Sequence, residues 1–464
     1  MDCAVVPVNR SDFVFDSAFS TIVRVYEAFR PGRFIVLYGD FNRPAVERME
    51  GLFREMRERG VAVNAEMIPQ ALSFEKFLSW LRQKVEGEKC ERVFLAVTPA
   101  ANITAVALTK LHDSDPDRFP LVNVVFAFGP WVGYYYPFVP RKFSQLVPLG
   151  RVPEPQTKLD LSLAAYLGDD EPAFYRDMKR LSFELNRRKT SNEGDPIELY
   201  VNDERVVSSA NPDYKFVLGK LDVYLSAIDP RNSHDMAERL LRLAGAYDIK
   251  VRALNRDGTY GQARSIRDVA FEHSVVVDTN LVYNGIHSHE VRDLVIPYCV
   301  HNEILNNVNT QKNPVGEMAF YVYESLLERA RVLPSEFAYC DIAIPKIDPD
   351  LIEGALVVTG DKHALNRWRK LTFSKYVTLG LVEGADEGRS EEKKGAKYEE
   401  RREERVAAFI AMELGLFLSR IKAEARQRGW GKFADELKKV EIRWGKDVSV
   451  DVEAVLGLNK ALGS

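Results

Sequence analysis

The sequence predicts a multidomain α/β protein with two parallel-sheet units and a helical C-terminal appendage. Three observations lead to this prediction. The chain has 464 residues, which exceeds one ordinary hydrophobic core. Strand-like apolar runs alternate with amphipathic helical runs over the first 130 residues, and the alternation returns near residue 266. Such alternation is typical of parallel strands joined by right-handed helical crossovers.

The N-terminal unit is predicted to span residues 1–145 and to contain a Rossmann-like parallel sheet. Its strand-like runs are 3–8, 33–40, 60–68, 91–98 and 121–128. The segments 44–60 and 73–87 between them place apolar residues on one face and charges on the other, as in helices that cover a sheet. Ligands of such sheets bind beyond the carboxyl ends of the strands.

Three further segments complete the predicted organisation. They are a connector domain at 146–265, a second α/β/α unit at 266–382, and a charged linker with a helical appendage at 383–464. The connector contains a hairpin that turns at Asn202–Asp203. The Glu-, Lys- and Arg-rich run after residue 383 is expected to be a solvated helix or a linker, followed by a long amphipathic helix at 407–429.

Composition limits the compartment and the partners. The chain is 46% hydrophobic and 28% charged with a net charge of −4, so nucleic acid would have to bind at local patches. Cys3, Cys90, Cys299 and Cys340 lack zinc-ligand spacing, and we expect reduced thiols in a cytoplasmic protein. No signal-peptide pattern is present and no apolar run approaches the ~20 residues that span a bilayer, so no membrane partner is expected.

Carboxylates follow the apolar strands of the second α/β unit. Asp278 follows the apolar run of SVVVDTN and Asp361 follows that of ALVVTGDKH, so both are expected at the carboxyl edge of one sheet. Glu303 lies on a helix after the strand that ends at Pro297, and Asp341 in AYCDIAIP is a fourth candidate. Convergent carboxylates raise one another's pKa unless a divalent cation neutralises them. Oxygen ligands favour Mg²⁺ or Mn²⁺, which can acidify a water that attacks a phosphodiester.

Each of these residues alone also fits an ordinary turn or an exposed helix position. The same holds for Asn280 and Thr359, which would support the acids by hydrogen bonds. The HSHE motif at 287–290 lacks a third ligand at a recognisable spacing, and we interpret it as a polar loop near the substrate path. Taken together with the apolar strands that precede them, the acids favour a metal site over coincidence.

Residues 274–380 resemble the PIN domain nucleases. The matching pattern is an apolar strand followed by DTN at 278–280, a strand followed by VxxEI at 300–304, and an apolar strand followed by TxD at 359–361. The resemblance implies metal-dependent cleavage of single-stranded RNA. It also implies that the metal ligands and catalytic residues are Asp278, Glu303, Asp341 and Asp361.

The third acid of that pattern departs from the family. It normally opens a helix upstream of the TxD strand, and Asp341 has about the right separation. Pro345 and Pro349 interrupt the helix that should follow, which leaves Asp348 and Asp350 as rivals for the role.

Residues 1–140 resemble the CARF domain, a Rossmann-like sensor of CRISPR-linked effectors. The chain has no GxGxxG or GxxxxGK[ST] motif, and its strand ends carry YGDFNRP at 38–44 and VTPAANITA at 97–105 instead. The second is a small-residue loop before a helix whose amides suit an anion, although it lacks the glycines and the base of the family. The resemblance implies a homodimer that binds a cyclic oligoadenylate across a two-fold axis. The ligand-binding candidates are Asp40, Asn42, Thr98, Asn102 and Thr104.

The two resemblances together imply an endoribonuclease that a cyclic oligoadenylate regulates in CRISPR antiviral defence. Two alternatives stay open. One is a constitutive RNA-processing or toxin-like nuclease whose N-terminal domain only dimerises. The other is a catalytically inactive, nucleotide-responsive regulator or scaffold, against which loss of cleavage in Asp278→Ala would argue.

Overall fold

The computed structural model describes residues 1–8, 14–69, 73–126, 129–190, 192–310, 313–383 and 398–458. These residues form two compact units, and α/β architecture with parallel sheets confirms the predicted fold class. The first unit comprises Met1–Asp170 and Lys179–Asp195, and the second comprises Glu171–Met178 and Pro196–Ser464. Residues 127–128 of the predicted fifth strand and 384–397 of the predicted charged run lie outside the described residues.

The first unit is built on a six-stranded sheet in the order β3-β2-β1-β4-β5-β6, in which only β6 is antiparallel to its neighbour. Its strands are β1 (Cys3–Val8), β2 (Arg33–Tyr38), β3 (Ala62–Met67), β4 (Val93–Ala96), β5 (Leu121–Phe126) and β6 (Ser144–Leu149). Its helices are α1 (Val14–Phe29), α2 (Arg43–Arg48), α3 (Glu50–Glu58), α4 (Phe74–Glu86) and α5 (Asn102–Ser114). All six residues of β1 are buried, as in a central strand covered on both faces. Strand order reverses between β1 and β4, the type of position at which such sheets bind ligands.

The second unit contains eleven strands and most of the helices that the structure describes. In chain order its strands are β7 (Ile197–Val201), β8 (Glu204–Ser208), β9 (Lys250–Leu254), β10 (Tyr260–Ser265), β11 (Val275–Val277), β12 (Leu294–Pro297), β13 (Ala330–Leu333), β14 (Leu356–Thr359), β15 (Thr378–Val382), β16 (Val440–Trp444) and β17 (Val448–Asp451). Helix α6 (Ala173–Arg187) has residues in both units. The other helices are α7 (Tyr214–Leu225), α8 (Ser233–Leu243), α9 (Ile266–Val269), α10 (Thr279–Tyr283), α11 (Cys299–Thr310), α12 (Pro314–Leu327), α13 (Cys340–Ala343), α14 (Pro349–Ile352), α15 (Lys362–Trp368), α16 (Glu404–Arg428), α17 (Gly431–Glu436) and α18 (Val452–Leu456).

A seven-stranded sheet carries the candidate acids. Its order is β10-β9-β15-β14-β11-β12-β13, with five parallel strands from β15 to β13 and an antiparallel pair at the other end. β11, β12 and β14 are buried throughout, which explains their continuous apolar sequence. Because these three strands are parallel neighbours, their carboxyl ends meet at one edge.

A second, antiparallel sheet in this unit has the order β17-β16-β7-β8. Asn202 and Asp203 have φ of 52° and 64°, the left-handed conformation that a two-residue hairpin turn requires, and this confirms the predicted hairpin. β7 and β8 come from the predicted connector, whereas β16 and β17 come from the predicted appendage, which is therefore not helical alone. The domain boundaries at 145, 265 and 382 stay predictions.

The four cysteines form two disulfides, so the prediction of reduced thiols is wrong. Cys3 bonds to Cys90 in the first unit, and Cys299 bonds to Cys340 in the second. The partners lie 87 and 41 residues apart in sequence, so only the fold brings them together. The disulfides also remove the argument that reduced thiols gave for a cytoplasmic location. Among the described residues, no helix combines the length and apolarity needed to span a bilayer.

The sequence predicts that the HSHE motif is a polar loop near the substrate path, and this prediction is wrong. His287 and His289 are buried, and Nε2 of His287 lies 2.7 Å from Oε1 of Glu413 on α16. Burial lowers the pKa of both histidines well below the usual range and raises the pKa of Glu413. The motif therefore connects to α16 through a buried hydrogen bond between His287 and Glu413.

Candidate metal centre

Asp278 and Glu303 meet at the carboxyl edge of the seven-stranded sheet. Asp278 directly follows β11, and Glu303 lies on α11, the helix after β12. β11 and β12 are parallel neighbours, which brings these two carboxylates to the same place. One oxygen of each carboxylate and Sγ of Cys340 all lie within 4.8 Å of one another.

Hydrogen bonds fix the orientation of Asp278, whose side chain is buried. Oδ1 accepts from the N–H of Thr279 at 2.7 Å, as the N-cap of α10. Oδ2 accepts from the hydroxyl of Thr359 at 2.7 Å and from the amide of Asn280 at 3.1 Å. Thr359 and Asn280 thus hold the carboxylate in one position, and their part in catalysis stays a prediction.

Thr279 links the two carboxylates, and sequence reasoning did not single it out. Its hydroxyl donates to Oε2 of Glu303 at 2.6 Å, while its N–H donates to Asp278. Oε1 of Glu303 accepts the N–H of Cys340 at 2.7 Å. The only sequence signal for Thr279 was its place in the middle of the DTN motif.

The electrostatics of the pair suit a hard divalent cation. Burial raises the pKa of Asp278 to about 6, and the charge of Glu303 adds to this effect, whereas the hydrogen bonds oppose it. Among the described residues, no Lys or Arg forms an ion pair with either carboxylate. Cys340 is bonded to Cys299 and offers no thiolate. The donor atoms are therefore carboxylate oxygens, which fit Mg²⁺ or Mn²⁺.

Asp361 lies next to this pair, but its side chain caps the start of a helix. Its Oδ1 accepts from the N–H groups of His363 and Ala364 at 2.6 and 3.1 Å, which makes it the N-cap of α15. Its own N–H donates to Oγ1 of Thr359, the residue that also holds Asp278. Asp361 does not belong to the close group of ligand atoms, and its role as a ligand stays a prediction.

Asp341 and its rivals also lie outside the close group. Asp341 stands in the first turn of α13 and forms an ion pair with Arg367. α13 ends at Ala343, two residues before the first of the interrupting prolines. Asp348 caps α14 by accepting from the N–H of Asp350 at 3.1 Å, and both are exposed. The structure therefore brings together two of the four predicted acids.

At the end of β2, the first unit presents one polar and one apolar side chain to solvent. Asp40 is exposed and pairs with Arg43 at 3.1 Å, whereas Asn42 is buried. Phe41 between them is 87% exposed, and sequence reasoning missed it. The sequence feature that could have identified Phe41 is an aromatic residue inside a turn, where a side chain is not expected to be buried.

At the end of β4, most polar groups are used inside the fold. The hydroxyl of Thr98 donates to Asn123 and lies 3.2 Å from the carbonyl of Val124, so it ties β4 to β5. Thr104 is buried in α5. Asn102, the first residue of α5, is exposed. Ligand contacts by these residues stay predictions.

No family model matches the sequence, and no curated protein sequence matches it. Among solved structures, the chain is similar to Enterococcus italicus Csm6 bound to cyclic hexa-2′-fluoro-hexa-dAMP, with 10% identity and a TM-score of 0.25. The similarity covers 53% of this chain and 62% of that one, so the match spans less than two thirds of that protein's length.

Proposed function

We propose that this protein is a divalent-metal-dependent endoribonuclease of the PIN type, regulated by a cyclic oligoadenylate in CRISPR antiviral defence. The observation that carries the nuclease proposal is the Asp278–Glu303 pair. Two carboxylates approach closely at a sheet edge, and among the described residues no basic side chain forms an ion pair with them. A folded protein keeps such a pair when a cation neutralises it.

The chain's own residues divide the work in this proposal. Asp278 and Glu303 hold Mg²⁺ or Mn²⁺, and Asp341 and Asp361 complete its coordination directly or through water. The bound cation supplies an acidified water and charge stabilisation at the phosphate. Thr279 fixes the separation of the first two carboxylates by donating to both. Asp341 can take part once its ion pair with Arg367 is released, because that pair is partly exposed.

The regulatory half of the proposal rests on the first unit. Its sheet order reverses between β1 and β4, where ligands of such sheets bind. We propose that Asp40 and Asn102, which are exposed, contact the cyclic oligoadenylate, while Asn42, Thr98 and Thr104 shape the loops around it. A homodimer in the cytoplasm would present this edge twice to a symmetric ring.

One observation favours a second candidate, the inactive nucleotide-responsive regulator. The carboxylate of Asp341 is paired with Arg367 and Asp361 caps a helix, so only two acids form the close group. A site arrested in this arrangement would bind nucleotide without cleaving RNA.

The deciding experiment is cleavage of a labelled single-stranded RNA with Mn²⁺, with and without cyclic oligoadenylates of different ring size. Asp278→Asn and Glu303→Gln are run beside the wild type. Cleavage that requires the ligand and both carboxylates supports the full proposal. Cleavage that ignores the ligand supports the constitutive nuclease and removes the sensor. Ligand binding without cleavage supports the regulator.

A further inference from the structure

Two exposed tyrosines lie near the Asp278–Glu303 pair, each directly before a cysteine of the Cys299–Cys340 disulfide. Tyr298 follows the last residue of β12 and is 45% exposed, and Tyr339 directly precedes α13 and is 62% exposed. The residue after Tyr339, Cys340, donates its N–H to Glu303. Both tyrosines therefore stand at the carboxyl edge of the sheet, beside the acids.

The backbone holds both tyrosines firmly. The N–H of Tyr298 donates to the carbonyl of Leu333 at 2.9 Å, and the carbonyl of Tyr339 accepts the N–H of Ala343 at 3.0 Å. The disulfide Cys299–Cys340 joins the residues that follow them, with 5.2 Å between its Cα atoms. Since adjacent Cα atoms are about 3.8 Å apart, the Cα atoms of the two tyrosines lie at most about 13 Å from each other.

The ring of Tyr298 is also held by its neighbours. His301 stacks on it with ring centroids 5.1 Å apart and an interplanar angle of 18°. His301 in turn packs against Phe320 and Tyr323, at 5.9 and 5.7 Å. The ring is thus oriented before any ligand arrives, which lowers the entropy lost on binding. The side chain of Tyr298 stays 45% exposed beside this stack.

We propose that Tyr298 and Tyr339 stack on bases of single-stranded RNA on either side of the phosphodiester at the Asp278–Glu303 pair. This inference rests on the proposed nuclease function and names the two residues by which the site binds an unpaired strand. Unpaired bases offer a free face to an aromatic ring, whereas a duplex keeps its bases stacked inside. Stacking also supplies affinity that a chain with a net charge of −4 cannot obtain from overall electrostatic attraction.

The test is binding of a short fluorescein-labelled single-stranded RNA, measured by anisotropy with Ca²⁺ in place of Mn²⁺. We expect Tyr298→Ala and Tyr339→Ala each to weaken binding roughly 5- to 100-fold, because an aromatic platform contributes on that scale per base. Tyr→Phe at either position keeps the ring and should stay within about twofold of wild type. An equivalent RNA duplex should bind weakly and respond to none of these changes.

Matched controls lie at the opposite edge of the same sheet. Tyr376 precedes β15 and is 43% exposed, close to the value for Tyr298. Phe271 precedes β11 and is 60% exposed, close to the value for Tyr339. Tyr376→Ala and Phe271→Ala should leave RNA binding unchanged within about twofold, since surface substitutions away from a site change little.

Abasic RNA separates stacking from general damage to the site. In the wild type, one abasic residue at the stacked position should weaken binding about as much as the alanine change. In the matching alanine variant, the same abasic residue should weaken binding no further.

Equal binding by wild type and alanine variants overturns the proposal, and so does a wild type that binds no RNA. Tyrosine variants that lose only a protein partner overturn it in favour of a protein-binding surface. Tyrosine-dependent binding without any cleavage in Mn²⁺ would keep this inference and sink the nuclease, and cleavage with tyrosine-independent binding would do the reverse.

Discussion

The carboxyl edge of the first sheet and that of the seven-stranded sheet use their polar side chains differently. In the first, the hydroxyl of Thr98 ties two strands together and Asp40 is matched by Arg43. In the second, two carboxylates face each other and their partners are hydroxyls and amides. The first edge is satisfied internally at these positions, whereas at the second no described Lys or Arg forms an ion pair with the two carboxylates. The second arrangement therefore supports the proposal of a bound cation, and the first does not.

The disulfides sharpen this contrast. Cys3 opens β1 and Cys90 precedes β4, so their bond lies at the amino edge of the first sheet, away from the predicted ligand loops. Cys299 opens α11 and Cys340 opens α13, so their bond lies at the carboxyl edge of the second sheet. One bond braces a sheet, and the other braces the candidate site itself.

The largest expected effect comes from neutralising the acid pair. Asp278→Asn and Glu303→Gln should each lower single-stranded RNA cleavage on the order of 10³-fold or more, because the cation loses a ligand charge. Initial rates with saturating Mn²⁺ measure this. Asp213→Asn is the control, since Asp213 is an exposed helix cap of α7 that belongs to neither the close group nor the candidate acids. Equal loss in the control would mean that helix stability, and not the metal, explains the result.

Removing each disulfide in turn should show which bond affects only stability and which also affects the cleavage rate. In the chain-entropy description, removing either bond lowers the free energy of unfolding by about 4 kcal/mol, since each closes a long loop. The double variant with Cys3→Ser and Cys90→Ser should keep the cleavage rate of the folded protein. The double variant with Cys299→Ser and Cys340→Ser should lower that rate about tenfold or more, because the N–H that holds Glu303 is no longer fixed.

Urea unfolding and cleavage rates under native conditions check both disulfide pairs. Each serine pair has the other as its matched control. Equal cleavage rates in the two double variants would show that the second bond does not position the site.

The sequence revealed the second edge better than the first, for a physical reason. Buried parallel strands need apolar residues, so an acid at the end of SVVVD or LVVTGD stands out. The disulfide Cys299–Cys340 and the pairing of Asp341 with Arg367 depend on tertiary placement and left no local signal. In the first unit the strands were clear, but burial of Asn42 and Thr104 depends on packing that periodicity does not specify.

The pH dependence of stability should also distinguish the second edge. The pKa of Asp278 is raised to about 6 in the folded state from its ordinary value of 3.8. Folding therefore favours the protonated carboxyl, and this contribution is present below about pH 4 and lost as pH rises through about 6, a change of roughly 3 kcal/mol. Urea unfolding in EDTA should show this loss in wild type and a flatter profile in Asp278→Asn.

Adding Mn²⁺ at neutral pH should restore stability to wild type and not to Asp278→Asn, because a ligand of the folded state stabilises it. Asp40→Asn at the first edge is the matched control, since Asp40 is exposed and paired with Arg43. It should keep the profile and the Mn²⁺ response of wild type. A Mn²⁺ response of equal size in Asp278→Asn would place the cation elsewhere.

The smallest expected effect concerns whether Asp341 joins the metal. Arg367 pairs with Asp341 on an exposed surface, so Arg367→Gln should change the free energy of unfolding by less than about 1 kcal/mol. If Asp341 becomes a ligand once released, the variant should bind Mn²⁺ roughly two- to fivefold more tightly in calorimetric titration without RNA, since the competing cation is gone. Arg264→Gln, which breaks the exposed pair with Glu272, should leave Mn²⁺ affinity unchanged.

Unchanged affinity in Arg367→Gln would mean that Asp341 belongs to a surface ion pair, and the search for the third acid would turn to Asp348 and Asp350. A gain would instead make the second edge a site that Arg367 holds partly closed. Arg43 and Asp40 differ in this respect, because their pair at the first edge lies beside no acid cluster among the residues that the structure describes.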